Sequence, residues 1–122
     1  MLNLDTHILL FALEGSLTKR EHELLSRRPW GVSAIVLWEI AKLHQRGRIA
    51  VGLDSPPLLR ALDRLHVWPL TTEVCRAMLT LDFSSDPADE LIAATSIVYA
   101  APLVTRDDKI RRSKLVPFAD RK

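Results

Sequence analysis

Short apolar segments alternate with segments of helical periodicity along almost the whole chain, and this alternation constrains the fold most strongly. The predicted strands are residues 2–4, 29–32, 66–70 and 102–105, with a short fifth candidate at 116–118. The predicted helices are residues 7–13, 21–28, 34–46, 58–65, 73–81 and 87–100. Because strands that alternate with helices form parallel sheets, the sequence predicts an α/β/α sandwich. Its central sheet is short and mostly parallel, with helices on both faces.

The length and composition are typical of one folded domain, which we assign to residues 1–122. Of the 122 residues 48% are hydrophobic, which is enough for a core. Cys75 is the only cysteine, which excludes an intrachain disulfide and favours a reducing, cytoplasmic compartment. The N-terminal segment lacks the basic start of a signal peptide, and no apolar run reaches membrane-spanning length. Asp5 lies only four residues from Met1, so either the first strand is minimal or the natural start lies upstream.

Four acidic residues lie where this fold would bring them to one edge of the sheet. Asp5 follows the first strand, Glu39 lies in the helix after the second, and Asp89 and Asp107 flank the fourth. Ligands of open parallel sheets bind at the carboxyl ends of the strands. Neighbouring carboxylates repel one another unless a cation lies among them, and oxygen ligands suit Mg²⁺ or Mn²⁺. The sequence therefore predicts an acidic metal site suited to attack of water on a phosphodiester.

Each acidic residue also has a purely structural interpretation. Asp5 is a favoured helix N-cap, and Asp89 complements the positive end of its helix. Glu39 is as well placed for a surface ion pair, and Asp107 for a solvated turn. Asp86 precedes a proline and is better explained as a helix cap. The prediction therefore rests on the joint placement of these residues at one edge.

The charge pattern permits a nucleic-acid partner without requiring one. The formal net charge is +2 and the isoelectric point is about 9.0. Basic residues cluster near the C-terminus, at Arg106, Lys109, Arg111, Arg112 and Lys114. Taken alone, such a cluster is typical of a solvated surface. Ser33 and Thr105 flank the acidic edge and, by themselves, fit capping or strand-end bonding as well as support of a site.

Four short segments, in the order of a known family, resemble the motifs of the VapC-like PIN-domain toxins of type II toxin–antitoxin systems. The segments are Leu4-Asp5-Thr6-His7, the stretch 32–41 that holds Ser33 and Trp38-Glu39, the stretch 86–94 that opens Asp86-Pro87-Ala88-Asp89, and the stretch 103–107 that ends Thr105-Arg106-Asp107. Each segment is short and weak by itself, but together they span nearly the whole chain. One departure is Glu90, because the position after the third acid is commonly basic in this motif.

The resemblance implies a PIN fold and a single-strand-specific endoribonuclease that requires Mg²⁺ or Mn²⁺ and cuts tRNA or rRNA. It assigns the catalytic acids to Asp5, Glu39, Asp89 and Asp107, and metal binding to Asp5, Asp89 and Asp107. Supporting roles go to Thr6, Ser33, Asp86 and Thr105. From the basic cluster itself we expect Arg106, Lys109, Arg111 and Arg112 to contact the RNA backbone. The resemblance also implies a homodimer and a small VapB-like antitoxin, with DNA bound only through the antitoxin complex, and no membrane partner.

Three alternatives compete with this interpretation. A receiver-like signalling module would need paired acids after the first strand and an acid after the third, where this chain has Leu70 and Thr71. A haloacid-dehalogenase-type phosphatase would need a second aspartate where this chain has His7. A catalytically inactive PIN-like module that only binds RNA or a protein stays open, although all four acids are retained.

Overall fold

The computed structural model describes residues 1–121, and its strands form one parallel sheet. The strands are β1 (Leu2–Leu4), β2 (Trp30–Ser33), β3 (His66–Trp68) and β4 (Leu103–Val104). The helices are α1 (Thr6–Glu14), α2 (Lys19–Leu25), α3 (Ala34–Gln45), α4 (Pro56–Leu62), α5 (Thr72–Met78), α6 (Pro87–Tyr99) and α7 (Asp108–Arg111). The strand order is β3-β2-β1-β4, with helices flanking the sheet, which confirms the predicted fold class.

The central strand β1 is buried along its whole length. Leu2 and Leu4 are fully buried, and they pack with residues of α1, α3 and α6 such as Ile8, Val36 and Ile92. A strand that is apolar and covered on both faces is typical of parallel sheets. The core therefore lies around β1, and the residue after β1 emerges at the carboxyl edge of the sheet.

Helix boundaries differ from the prediction where capping contacts decide them. Helix α2 spans Lys19–Leu25, not residues 21–28, because Thr18 and Glu21 form a reciprocal capping box. The Nε1 atom of Trp30 donates to the carbonyl oxygen of Leu25 at 2.6 Å, and the helix ends there. Helix α5 spans Thr72–Met78, not residues 73–81, and the side chain of Thr71 caps it.

The fifth strand predicted at 116–118 is wrong as a strand. Leu103 and Phe118 form a single isolated parallel bridge, and the backbone N–H of Leu103 donates to the carbonyl of Pro117 at 2.8 Å. The short helix α7 was not predicted, and Asp107 caps it. Within residues 1–121, no helix combines the length and the apolar character needed to cross a membrane.

Candidate functional site at the carboxyl edge

Asp5 is a buried carboxylate at the point where β1 becomes α1. It is 5% exposed, and it caps α1 by accepting a hydrogen bond from the backbone N–H of Thr6 at 2.7 Å. Its second oxygen accepts a hydrogen bond from the hydroxyl of Thr105 at 2.6 Å. The capping interpretation of Asp5 is therefore correct. Capping does not exclude a second role, because each carboxylate oxygen can accept more than one bond.

Thr105 joins the ends of β1 and β4. Its hydroxyl donates to Asp5 and accepts from the backbone N–H of Asp107 at 3.1 Å. Asp107 in turn caps α7, since its Oδ1 atom accepts from the N–H of Ile110 at 3.1 Å. On one side of β1 lies β2, the next strand in the sequence. On the other side lies β4, which comes only after β2 and β3. This junction is the topological switch point at which open α/β sheets bind ligands.

Asp89 lies in the first turn of α6 and is half-buried. Its Oδ2 atom accepts a hydrogen bond from the hydroxyl of Ser85 at 2.8 Å. Burial raises the pKa of Asp89, the bond from Ser85 opposes that rise, and the charges of Asp5, Asp107 and Asp86 add to it. The charges of Asp5 and Asp107 thus act on Asp89 at the carboxyl edge.

Glu39 comes from α3 and contributes a buried oxygen without a donor. Among residues 1–121, its Oε1 atom has no hydrogen-bond partner. Burial is the main cause that raises the pKa of Asp5, and the charge of Glu39 raises it further. Thr105, His7 and the N–H of Thr6 oppose the rise. Glu39 therefore faces the same region as Asp5, although it forms no ion pair in the described part of the chain.

The donor set fits a hard divalent cation in its chemistry, but the side chains do not form a closed ligand cage. Across residues 1–121, no three His, Cys, Asp or Glu side chains lie close enough together to hold an ion as they stand. Asp5, Asp89 and Asp107 each give at least one oxygen to a protein donor. Oxygen atoms are nevertheless the ligands that Mg²⁺ prefers, and the buried Oε1 atom of Glu39 is one that no described donor occupies.

The predicted supporting residues have different environments. Ser33 caps α3, with its hydroxyl accepting from the N–H of Ile35 at 3.2 Å. The buried Oγ1 atom of Thr6 has no partner among the described residues. Asp86 occupies the N-cap position of α6, but its side chain makes no capping hydrogen bond, so our interpretation of Asp86 as a capping side chain is wrong. Proline at the first helical position leaves one fewer N–H to be capped.

The basic cluster divides into residues with partners and residues that face solvent. Arg106 pairs with Glu21 at 2.7 Å and lies 3.9 Å from the ring centre of Phe11. Arg111 pairs with Asp120 at 2.7 Å and donates to the carbonyl of Thr105 at 3.2 Å. In the described part of the chain, the exposed side chains of Lys109, Arg112 and Lys114 make no ion pair. Lys109 and Arg112 therefore present positive charge more freely than Arg106 and Arg111.

Sequence reasoning missed two residues that shape the acidic edge. Ser85 bonds Asp89, and its backbone N–H donates to Glu90 at 3.3 Å, so the unusual Glu90 holds the loop before α6. A serine just before an Asp-Pro helix start was the available signal. Asn3 is a fully buried amide in the middle of β1, and a lone polar residue inside an apolar strand could have identified it.

A fold of this kind, with acidic side chains gathered at its switch point, defines an α/β protein with a ligand site at the carboxyl edge of a parallel sheet. The chain belongs to the PIN domain family, whose family model matches residues 3–114. The predicted family is thereby confirmed.

Known proteins of related sequence and structure agree with this assignment. Ribonuclease VapC22 of Mycobacterium tuberculosis is 34% identical over 83 residues, which are 66% of this chain and 64% of that protein. The chain thus matches just under two thirds of the length of this relative.

Solved structures share the fold at low sequence identity. VapBC2 from Rickettsia felis, bound to a promoter DNA fragment, has a TM-score of 0.70 and 19% identity, with 97% of both chains covered. A toxin–antitoxin complex from Klebsiella pneumoniae has a TM-score of 0.66 and 18% identity, covering 92% of this chain and 91% of that one. FitAcB from Neisseria gonorrhoeae has a TM-score of 0.62 and 20% identity, with 90% of both chains covered.

Proposed function

We propose that this chain is a divalent-metal-dependent endoribonuclease, the toxin of a toxin–antitoxin pair. The observation that carries the proposal is the junction of Asp5, Thr105 and Asp107 at the switch point. The charge of Glu39 acts on Asp5 there, and the charges of Asp5 and Asp107 act on Asp89. Carboxylates that raise the pKa of their neighbours are stabilised in the charged form by a cation. The relative VapC22 is a ribonuclease, which supports RNA as the substrate class.

In this proposal Asp5, Asp89 and Asp107 hold Mg²⁺, or Mn²⁺ in its place. The ion supplies Lewis acidity and lowers the pKa of a bound water. Thr105 keeps Asp5 oriented by donating to its Oδ2 atom. The unpartnered Oε1 atom of Glu39 accepts a hydrogen bond or a proton from the attacking water.

The proposal assigns the exposed cations Lys109 and Arg112 to the phosphates of the RNA. Their contribution is independent of sequence and weakens with salt. We further propose tRNA or rRNA as the target, a homodimer as the assembled form and the cytoplasm as the compartment. The Rickettsia structure is a VapBC pair on promoter DNA and the Klebsiella structure is a toxin–antitoxin complex, and both support a small antitoxin partner through which DNA is bound.

The test is cleavage of total bacterial RNA by the purified, antitoxin-free chain, with Mg²⁺ and with EDTA. Wild type should release discrete fragments only when the metal is present. Asp5→Asn should lower the cleavage rate at least about a hundredfold, because a metal ligand contributes more than the supporting residues around it. The matched control is Asp63→Asn, which removes an exposed carboxylate at the end of α4 and should cleave as wild type does.

Circular dichroism and a urea titration check that Asp5→Asn is folded. Cleavage at the wild-type rate by this variant would show that Asp5 is not a metal ligand. Intact RNA in every lane, from a folded wild-type protein, would instead favour a PIN-like module that binds RNA or a protein without cutting.

A further inference from the structure

Asn3 is a fully buried polar residue at the centre of β1. Its backbone is in register with Gly31 of β2 on one side and Leu103 of β4 on the other. Its side-chain Nδ2 atom donates to the carbonyl oxygen of Ile92 at 3.0 Å and to the hydroxyl of Ser96 at 2.9 Å. A carbonyl can only accept, so these contacts determine which end of the amide faces α6.

The remaining atom of the amide makes Asn3 a poor choice for packing alone. Its Oδ1 atom is buried and has no hydrogen-bond partner among residues 1–121. A leucine has the same branched shape and would bring no buried oxygen of its own, whereas an unpaired buried acceptor lowers stability. The hydroxyl of Ser96, which would lose the amide, can donate to a carbonyl one turn earlier in α6. Pairing of β1 with its neighbours uses backbone groups, so it does not depend on this side chain.

What the amide does provide is a directional link between two segments that carry acids. Asn3 lies two residues before Asp5, and Ile92 lies one helical turn after Asp89 on α6. Apolar contacts between a helix and a strand are not directional, so they permit small shifts of the helix along the strand. Two hydrogen bonds from one amide oppose both sliding and rotation of α6 against β1.

We propose that Asn3 is a positioning residue that sets the separation between Asp5 and Asp89, and thereby the affinity of the acidic edge for a divalent ion. The inference rests on the proposed function, because it concerns the same metal site. Its consequence is a divergence of two properties: replacing Asn3 by leucine should maintain or raise stability while weakening metal binding.

The experiment measures Mn²⁺ binding by isothermal titration calorimetry, and the urea unfolding midpoint, for wild type and Asn3→Leu. Displacement of acidic groups by a supporting change should weaken Mn²⁺ binding about 10- to 100-fold. The unfolding midpoint of the metal-free variant should equal or exceed that of wild type. RNA cleavage at saturating Mn²⁺ gives a separate readout of kcat.

Thr95→Val is the matched control on the same helix. Thr95 is fully buried, and its hydroxyl donates to the carbonyl of Leu91 at 2.8 Å, within α6. This variant also loses a buried polar group but keeps the link to β1, so its affinity for Mn²⁺ should equal that of wild type. An equal loss in Thr95→Val and Asn3→Leu would overturn the positioning role.

Ser96→Ala provides a milder test, should Asn3→Leu fail to fold. It removes one of the two bonds from Asn3, and Mn²⁺ binding should weaken by a smaller factor, about threefold or more. Wild-type affinity in a folded Asn3→Leu or, failing that, in Ser96→Ala overturns the inference, as does absence of Mn²⁺ binding by wild type. A wild type that binds Mn²⁺ but cleaves no RNA contradicts the nuclease proposal instead, and leaves the role of Asn3 to be decided by the affinities.

Discussion

The two edges of the sheet differ in charge and in the way they are built. At the carboxyl edge, Asp5, Ser33, Asp86 and Asp107 occupy the N-cap positions of α1, α3, α6 and α7. At the amino edge, the C-terminal ends of α1 and α4 border a cavity of about 540 Å³ beside Trp30. Three arginines and no carboxylate line this cavity, namely Arg28, Arg60 and Arg64.

Helix polarity explains much of this contrast. In a parallel α/β fold, helix N-termini gather at the carboxyl ends of the strands, and their partial positive charge favours acidic side chains there. Helix C-termini gather at the opposite edge, where basic residues such as Arg60, in the last turn of α4, are favoured. One chain topology thus favours acidic caps at the carboxyl edge and basic side chains at the helix C-termini of the amino edge. The capping role of an acid and its proposed metal role have the same structural origin.

Among the effects that we predict for the two edges, the largest is a loss of stability caused by poorer packing at Gly31, in the amino half of β2. A methyl group on Gly31 would lie 2.6 Å from the Cζ3 atom of Trp68, whose ring stacks on Tyr99. Gly31→Ala should therefore lower the free energy of unfolding by about 1–3 kcal/mol, because the core must shift. Urea titration followed by tryptophan fluorescence measures the change.

Gly52→Ala is the control for this substitution. A methyl group there would meet only the exposed imidazole of His44, at 3.1 Å, and that side chain can turn away. We expect a change of less than about 0.5 kcal/mol. Equal losses in the two variants would mean that the effect of Gly31→Ala does not come from Trp68.

A second pair of variants compares the cations of the two edges directly. Lys109→Ala with Arg112→Ala, and Arg60→Ala with Arg64→Ala, each remove two positive charges. The first pair should raise the KM for RNA about tenfold and lower the steepness of its salt dependence, since phosphate contacts are lost. The second pair should leave both quantities at wild-type values. Similar changes in both pairs would mean that overall charge, rather than the carboxyl edge, governs RNA binding.

The smallest effect concerns the ion pair that ties α2 to the carboxyl edge. The hydrogen bond from Arg106 is the main cause that lowers the pKa of Glu21 to about 2 from an ordinary value of 4.5. A lowered carboxyl pKa stabilises the fold above pH 4.5, and this contribution disappears as the pH falls from about 4.5 to about 2. At pH 7, Glu21→Gln should lower the free energy of unfolding by about 1 kcal/mol, since Arg106 is partly exposed.

Glutamine retains one oxygen that can still cap α2, so this substitution removes the charge and the hydrogen bond from the Nε atom of Arg106 while it keeps the cap. Unfolding titrations at pH 7 and near pH 3 should show the two proteins converging in the acid. Glu23→Gln is the control: Glu23 is exposed, and in the described part of the chain it has no ion pair. A difference between Glu21→Gln and wild type that persists unchanged toward pH 2 would contradict the assigned ion pair.

The order of strands and helices could be predicted because its signals are local. Apolar segments, prolines and capping residues mark most elements within a few positions. The gathering of Asp5, Asp89 and Asp107 at one edge was also predictable, since the carboxyl-end rule converts strand order into proximity. The roles of these residues stay predictions, as does the assignment of one domain to residues 1–122.

The features that could not be predicted depend on contacts between distant segments. Arg106 was assigned to RNA, and no local pattern pointed to its pairing with Glu21, 85 positions away. The four-residue helix α7 is too short for a periodic signal and exists because Asp107 caps it. The hydrogen bond from Thr105 to Asp5 spans 100 positions, and only the fold brings the two together.

The single bridge between Leu103 and Phe118 has a consequence for how copies of this protein behave towards each other. Besides the bond from Leu103 to Pro117, the N–H of Ala119 donates to the carbonyl of Leu103 at 3.0 Å. Without this segment, the unpaired backbone groups of the edge strand β4 could form hydrogen bonds with strands of other molecules. The segment 117–119 pairs with those groups. A chain cut after residue 114 would therefore keep every proposed ligand and yet expose an edge strand that can pair with other molecules. Residues 117–119, which lie beyond the family match, thus oppose edge-to-edge aggregation.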